Sequence, residues 1–284
     1  MSVVTRFAPS PTGGLHLGHA ASAIRAHDFA RMRGGRFLLR IEDIDGTRSR
    51  PEHVAGIIAD LRWLGLAWDG EVVFQSGRLA LYEAALARLD AMGLVYPCTC
   101  TRADIAASAS APHGPAGLVY PGTCRAPTHE ERAARVAAPH CWRLDMAAAV
   151  ARAGTLTWHD ARAGTVIADP AAQGDVVLAR KDAPASYHLA VTVDDAAQEV
   201  TDIVRGQDLF EATDIHRLLQ ALLDLPTPAY HHHPLLTDTA GKRLAKRDGA
   251  PTLAAMRIGG VDGQAVADAL RAGRLPIGFP GGKA

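Results

Sequence analysis

A chain of 284 residues with 48% apolar content can bury a full core, as one large or two modest domains, and its thirty lysines and arginines are offset by thirty acidic residues. That balance excludes recognition of nucleic acid through net charge and leaves only a local surface for it. No run of eighteen apolar residues occurs, and the start MSVVTRFAPS lacks the basic segment and apolar core of a secretory signal, so a cytoplasmic chain is expected, its four cysteines being thiols or metal ligands rather than disulfides.

Residues 3–7 form a short apolar run that predicts a buried strand, and Pro9, Pro11, Gly13 and Gly14 then break regular structure. From Leu17 apolar residues recur at helical spacing to a stop near Gly34 and Gly35. Strand, glycine-bearing turn and helix in that order present a helix N-terminus to phosphate. The turn lacks the G-x-G-x-x-G spacing and no P-loop lysine follows it, which argues against a dinucleotide fold. His16 and His19, three apart at the helix start, can face one ligand and donate hydrogen bonds to phosphoryl oxygens. A helix cap plus a surface histidine is the alternative reading.

A second strand is expected at 37–41, followed by Glu42, Asp43, Asp45, Thr47, Arg48 and Arg50. Carboxylates at a strand's C-terminal end sit where α/β enzymes contact ligands; Glu42 can serve magnesium or a substrate ammonium, or belong to an ordinary charged loop. Residues 55–64 and 79–92 read as amphipathic helices, with Trp63, Trp68 and Phe74 as packing residues.

Cys98 and Cys100 form a C-x-C pair, and Cys124 returns in the unit YPGTC after a small-residue stretch. Three thiolates with Tyr120 or His113 as a fourth donor suit zinc, while incidental thiols remain the alternative. Cys141, beside Trp142, reads as an inert core thiol. Residues 142–182 alternate strand-like pieces with turns and show no clean helical period. Residues 186–193, SYHLAVTV, read as a strand opened by Tyr187, and 200–205 as the next, closed by Arg205, whose guanidinium suits a carboxylate. Ile215, Leu218, Leu219 and Leu222 mark a helix; His231, His232 and His233 predict an extended segment with one buried ring. Lys242, Arg243, Lys246 and Arg247 crowd one loop, which can close over a triphosphate or be a solvated basic turn or RNA-contact patch.

Together, His16-Leu17-Gly18-His19 and Arg243-Leu244-Ala245-Lys246-Arg247 resemble the two signature motifs of class I aminoacyl-tRNA synthetases, and RFAPSPTG, LRIEDIDGTRS, SYHLAVTVDD and VRGQDL resemble the glutamyl branch over about residues 3–250. The resemblance implies an α/β fold: a Rossmann-like nucleotide-binding domain with a parallel sheet, interrupted by a zinc-bearing mixed insertion and followed by a short helical segment. It divides the chain at 1–96, 97–185, 186–235 and 236–284. The chain stops soon after its lysine loop, and that shortness resembles a paralogous group without an anticodon-binding region, which attaches glutamate to queuosine at the wobble position of tRNA(Asp).

Carried over by position, the resemblance implies a glutamate site of Arg6, Ala8, Ser10, Glu42, Tyr187 and Arg205. ATP would be served by His16, His19, Arg243 and Lys246 with magnesium, and one structural zinc by Cys98, Cys100, Tyr120 and Cys124. Ala245 departs from the motif, which usually has serine there, so a phosphate contact is lost while Lys246 is kept. Affinity for tRNA is expected to rest on Arg48, Arg50, Arg102, Arg125, Arg243 and Arg247, and a monomer is the default. A compact synthetase charging a tRNA 3′ end, and a non-catalytic RNA-binding or regulatory module with the same fold, are the other readings.

Overall fold

A computed structural model describes residues 2–101, 103–105, 119–180, 183–237 and 251–276. It divides into two compact units, one of Met1–Gly77, Val200–Leu209 and Pro228–Ala284, the other of Arg78–Glu199 and Phe210–Thr227. The division expected from motif character cuts at 96, 185 and 235 instead and stays a proposal on those grounds.

The first unit is built on parallel strands. Val4–Phe7 pairs with Arg36–Ile41, which pairs in turn with Val73–Phe74. On the other side of Val4–Phe7, the Val4 N–H donates to Thr201 Oγ1 (2.9 Å) and the Thr201 N–H to the Val4 carbonyl (3.0 Å). That exchange brings Asp202–Gly206 alongside, and Ala229–His233 pairs parallel with it. Strands covered on both faces read as near-continuous apolar runs, which is why Phe37, Leu39 and Ile41 on one face and Leu38 and Arg40 on the other are all buried without alternation. Each such side chain contributes about 1.5–3 kcal/mol of transfer free energy.

The helix Leu17–Arg31 lies against this sheet through Ala20, Ala23, Ala26 and Ala30, and small residues let the backbones approach closely enough for Thr5 Oγ1 to donate to the Ala26 carbonyl at 2.8 Å. Two short helices follow the lysine-rich segment as expected, Leu253–Ile258 capped by Thr252 and Gly263–Arg271 capped by Asp262. Leu253, Val266, Ala267 and Leu270 join the same core.

In the second unit, Val95–Cys98, Cys141–Leu144 and Val177–Arg180 make an antiparallel sheet. Thr157–Asp160 and Gly164–Ile167 form a hairpin whose turn is closed by Asp160 Oδ1 accepting the N–H groups of Arg162 and Ala163.

Two sequence expectations fail in this unit. Residues 186–193 are not a strand: Tyr187–Ala197 is a helix, started by Ser186, whose side chain accepts the Leu189 N–H. A short apolar, β-branched run does not distinguish a strand from a buried helix by its period, and what decides here lies elsewhere in the chain. Asp194, fully buried, is held by Arg78 Nε (2.7 Å) and the Tyr82 hydroxyl (2.8 Å), a satisfaction that helical placement provides. Residues 142–182 also contain the helix Met146–Ala153, begun by Asp145 and ended at Gly154. Its alanine-rich sequence hides the amphipathic pattern but has high intrinsic helix propensity. No described helix is long and apolar enough to cross a membrane.

Candidate functional site

In the first unit the candidate site begins at the start of the helix Leu17–Arg31. His16 is its N-cap, extended at φ −127° and ψ 175°. The Gly18 N–H donates to His16 Nδ1 (3.1 Å), and the His16 N–H donates to His19 Nδ1 (3.2 Å). The rings lie 3.8 Å apart between centroids. With each Nδ1 accepting from a backbone amide, each neutral ring carries its proton on Nε2. Gly18 is required by close approach, because a Cβ there would meet His16 Cε1 at 2.8 Å and Nδ1 at 3.0 Å. The pair is therefore both the expected cap and an arrangement with its donors fixed.

The loop before this helix is secured at both flanks. The Glu42 N–H donates to the Pro9 carbonyl (3.0 Å), setting Ala8 and Ser10 beside the end of Arg36–Ile41. The Leu253 N–H donates to the Leu15 carbonyl (2.9 Å), and a Cβ on Gly14 would touch Thr252 Cγ2 at 3.3 Å. The chain thus leaves the lysine-rich segment next to the histidine-bearing loop.

Three arginines occupy the penultimate positions of three neighbouring parallel strands: Arg205 in Asp202–Gly206, Arg6 in Val4–Phe7 and Arg40 in Arg36–Ile41, 4%, 5% and 0% exposed. Arg205 Nε donates to His232 Nε2 (3.1 Å) and Nη2 to the Leu209 carbonyl (3.1 Å), and the guanidinium lies 5.4 Å from the Tyr230 ring centre. His232 is the one buried ring of the histidine run. Arg40 Nη2 stands 3.8 Å from Glu42 Oε1, whose side chain is 10% exposed. Arg40 escaped the sequence reading; the signal for it was a single charge inside the apolar run 37–41.

The acidic run after Glu42 is structural in part. Asp43 accepts from the Ser76 N–H (2.8 Å) and hydroxyl (2.6 Å). The Thr47 hydroxyl and Arg48 Nε hold the Asp45 carboxyl down at about 2.

Tyr187 belongs to the second unit, at the first turn of Tyr187–Ala197, its ring 5.5 Å from that of His216. Lys242, Arg243, Ala245, Lys246, Arg247, Arg102 and His113 lie outside the described residues.

The candidate metal centre lies wholly in the second unit. Cys98 ends a strand, Cys100 follows it, and Tyr120 and Cys124 flank a turn through Gly122, whose φ of +83° suits glycine. The sulfurs of Cys98, Cys100 and Cys124 lie within 4.8 Å of one another. The Tyr120 hydroxyl is 3.4 Å from Cys98 Sγ and 3.5 Å from Cys100 Sγ, and it accepts the Cys124 N–H at 2.9 Å. Three soft donors and one oxygen converging on a point fit a zinc ion.

Burial, then the neighbouring thiols, push the Tyr120 phenol up, while the Cys124 amide works the other way. Cys141, expected in the core, is half-buried and stands opposite Cys98 in the strand register. Its hydrogen bond does most to draw the Cys98 thiol down, Tyr120 and Arg143 adding to it.

Of the arginines expected at an RNA surface, Arg48 pairs with Asp45 (2.7 Å) and Arg125 with the buried Asp175 (2.7 Å).

The family model of class I tRNA synthetases (E and Q), catalytic domain, matches residues 2–271. The chain is similar to the glutamyl-Q tRNA(Asp) synthetase of Rhodobacter capsulatus, 53% identical over 270 residues that span 91% of this chain and 96% of that protein. It is 49% identical over 271 residues to the protein of that name from Symbiobacterium thermophilum, covering 92% of this chain and 83% of the relative. Among solved structures it is similar to a glutamate tRNA ligase from Elizabethkingia meningosepticum in complex with its amino acid, at 26% identity and a TM-score of 0.73. That match covers 88% of this chain and 53% of the other, so the chain spans about half the length of that solved protein.

Proposed function

This chain belongs to the class I tRNA synthetases (E and Q), ligases of the aminoacyl-tRNA synthetase type, and we propose that it activates L-glutamate with ATP and transfers it to queuosine at the wobble position of tRNA(Asp). The observation that carries the activation step is the shared tautomer of His16 and His19: both Nδ1 atoms accept backbone amides, so both rings present Nε2–H donors at a helix N-terminus.

In the reaction, a glutamate α-carboxylate oxygen attacks the α-phosphorus of ATP, and the bond to pyrophosphate breaks. The Nε2–H groups and the positive end of the helix Leu17–Arg31 would offset the charge gathering on the phosphoryl oxygens. Lys246, and Arg243 with it, would close on the same phosphates; Thr252 and Leu253, a few residues further along the chain, lie against Gly14 and Leu15 of this loop. Magnesium bound to ATP would supply further positive charge against the phosphates.

Glutamate is read by fixed charges. Arg6 and Arg205, buried at adjacent strand ends, take its side-chain carboxylate, and Glu42 takes the ammonium, while Ala8 and Ser10 line the loop held to Glu42. A buried guanidinium held by neighbouring acceptors, as Arg205 is by His232 and the Leu209 carbonyl, is suited to a carboxylate because its geometry is set in advance. Tyr187, in the second unit, is proposed for glutamate recognition on the family resemblance alone. A hydroxyl of the queuosine cyclopentenediol then attacks the adenylate carbonyl, an ester forms and AMP leaves. The names of the Rhodobacter and Symbiobacterium relatives support this acceptor.

Zinc would be held by Cys98, Cys100, Tyr120 and Cys124, joining a strand end to the Gly122 turn. Glutamate-dependent exchange of labelled pyrophosphate into ATP tests the activation step: exchange with glutamate and none with aspartate or glutamine supports it, and exchange that ignores the amino acid sinks it.

A further inference from the structure

We infer that Arg143 is the counter-cation of the Cys98, Cys100, Tyr120 and Cys124 set, its charge and not its packing alone retaining the metal; the inference rests on the metal reading above. Arg143 lies in the strand Cys141–Leu144 and is 7% exposed. Its guanidinium carbon sits 3.9 Å from the centre of the Tyr120 ring, and the group also reaches the Cys98 thiol.

What makes this placement informative is the missing carboxylate. Asp175 is near, but its carboxylate is engaged by Arg125 through Nε (2.9 Å) and Nη2 (2.7 Å), by the Tyr96 hydroxyl and by the Met146 N–H. Among the described residues no carboxylate pairs with Arg143: its Nη1 donates to the Asp175 backbone carbonyl at 2.7 Å, the guanidinium reaches the Cys98 sulfur, and its Nε is buried without a hydrogen-bond partner. A buried guanidinium with no anion is strongly penalised. Three thiolates and a phenolate around a dication leave the loaded set anionic, and they would supply the charge that Arg143 lacks. The other described cations beside the set have carboxylate partners: Arg135, whose Nη1 donates to the Cys124 carbonyl (2.7 Å), has Glu131 4.0 Å from its Nη2, and Arg125 is matched by Asp175.

Arg143 stacks over the ring of Tyr120, whose oxygen would become a phenolate only when zinc binds, so the effect of the cation on zinc retention should depend on that oxygen. The test is competition for zinc between a chromophoric chelator and the full-length protein, as wild type, Arg143→Gln, Tyr120→Phe and the double variant. Tyr120→Phe keeps the ring under the guanidinium and removes only the anionic oxygen. Arg143→Gln is expected to weaken zinc retention at least tenfold in the wild-type background and less than threefold in the Tyr120→Phe background, while Arg143→Lys stays within threefold of wild type.

Equal losses in both backgrounds would show that Arg143 acts by packing and would overturn the inference, as would unchanged retention in Arg143→Gln. If Arg143→Gln does not fold, Arg143→Lys decides: near-wild-type retention supports the charge role, and a tenfold loss overturns it. Wild-type protein that takes up no zinc overturns the inference together with the metal reading beneath it.

Discussion

His16 and His19 cap one helix start between them, each ring nitrogen Nδ1 accepting a backbone N–H, the Gly18 amide at 3.1 Å for His16 and the His16 amide at 3.2 Å for His19. One contact therefore serves two ends: it satisfies amides that a helix N-terminus leaves without partners, and it fixes the proton of each ring on Nε2.

These two roles separate in His16→Asn. Asparagine is among the best N-caps, so folding stability should hold within about 1 kcal/mol. Pyrophosphate exchange should fall about 10- to 100-fold, since a hydrogen bond to a charged group contributes about 1.5–3 kcal/mol. Denaturant unfolding and exchange kinetics on one preparation check it; exchange at the wild-type rate would mean that His16 is only a cap.

Arg205→Lys keeps the charge at the end of its strand and loses the planar fork held by His232 and the Leu209 carbonyl. The KM for glutamate should rise about tenfold or more while that for ATP changes little. Comparable increases in both would remove Arg205 from glutamate recognition.

Metal removal should loosen one region of the second unit. In Cys124→Ser, or after chelation, faster amide hydrogen exchange is expected at residues 95–98 and 119–125, with residues 4–7 and 36–41 unchanged, because the candidate ligands join only the former. Protection unchanged in the Cys124→Ser protein would argue against a structural metal.

Burial holds His233 below the usual histidine range, Arg25 lowering it further while the Pro234 carbonyl and Asp208 oppose; its Nε2 lies 3.2 Å from Ser22 Oγ. The unfolded chain takes up a proton near pH 6.5 that the folded residue accepts only at lower pH. This group's contribution is therefore complete above pH 6.5 and is lost as pH falls below it. The decline of denaturant midpoint from pH 7 to pH 5.5 should be shallower in His233→Gln, and an unchanged slope would contradict the assignment.

Much of the first unit was legible because its sequence signals are local: a glycine-bearing turn between strand and helix, an apolar run at 37–41, and glycines where the backbone turns. The cysteine pair and YPGTC likewise announced donors whose convergence the structure supplies. What was not legible depends on distant partners. SYHLAVTV is helical because Ser186 starts it and Arg78 and Tyr82 receive Asp194, more than a hundred residues away in sequence. Cys141 gave no sign of facing Cys98, since register across an antiparallel pair is set by packing rather than by either strand alone.

The most direct test of the account is transfer of labelled glutamate, with ATP, to matched tRNA(Asp) preparations with and without queuosine, with tRNA(Glu) alongside. Label on the queuosine-bearing tRNA(Asp) alone is the predicted result. Label on tRNA(Glu), or equal label on both forms of tRNA(Asp), would contradict it.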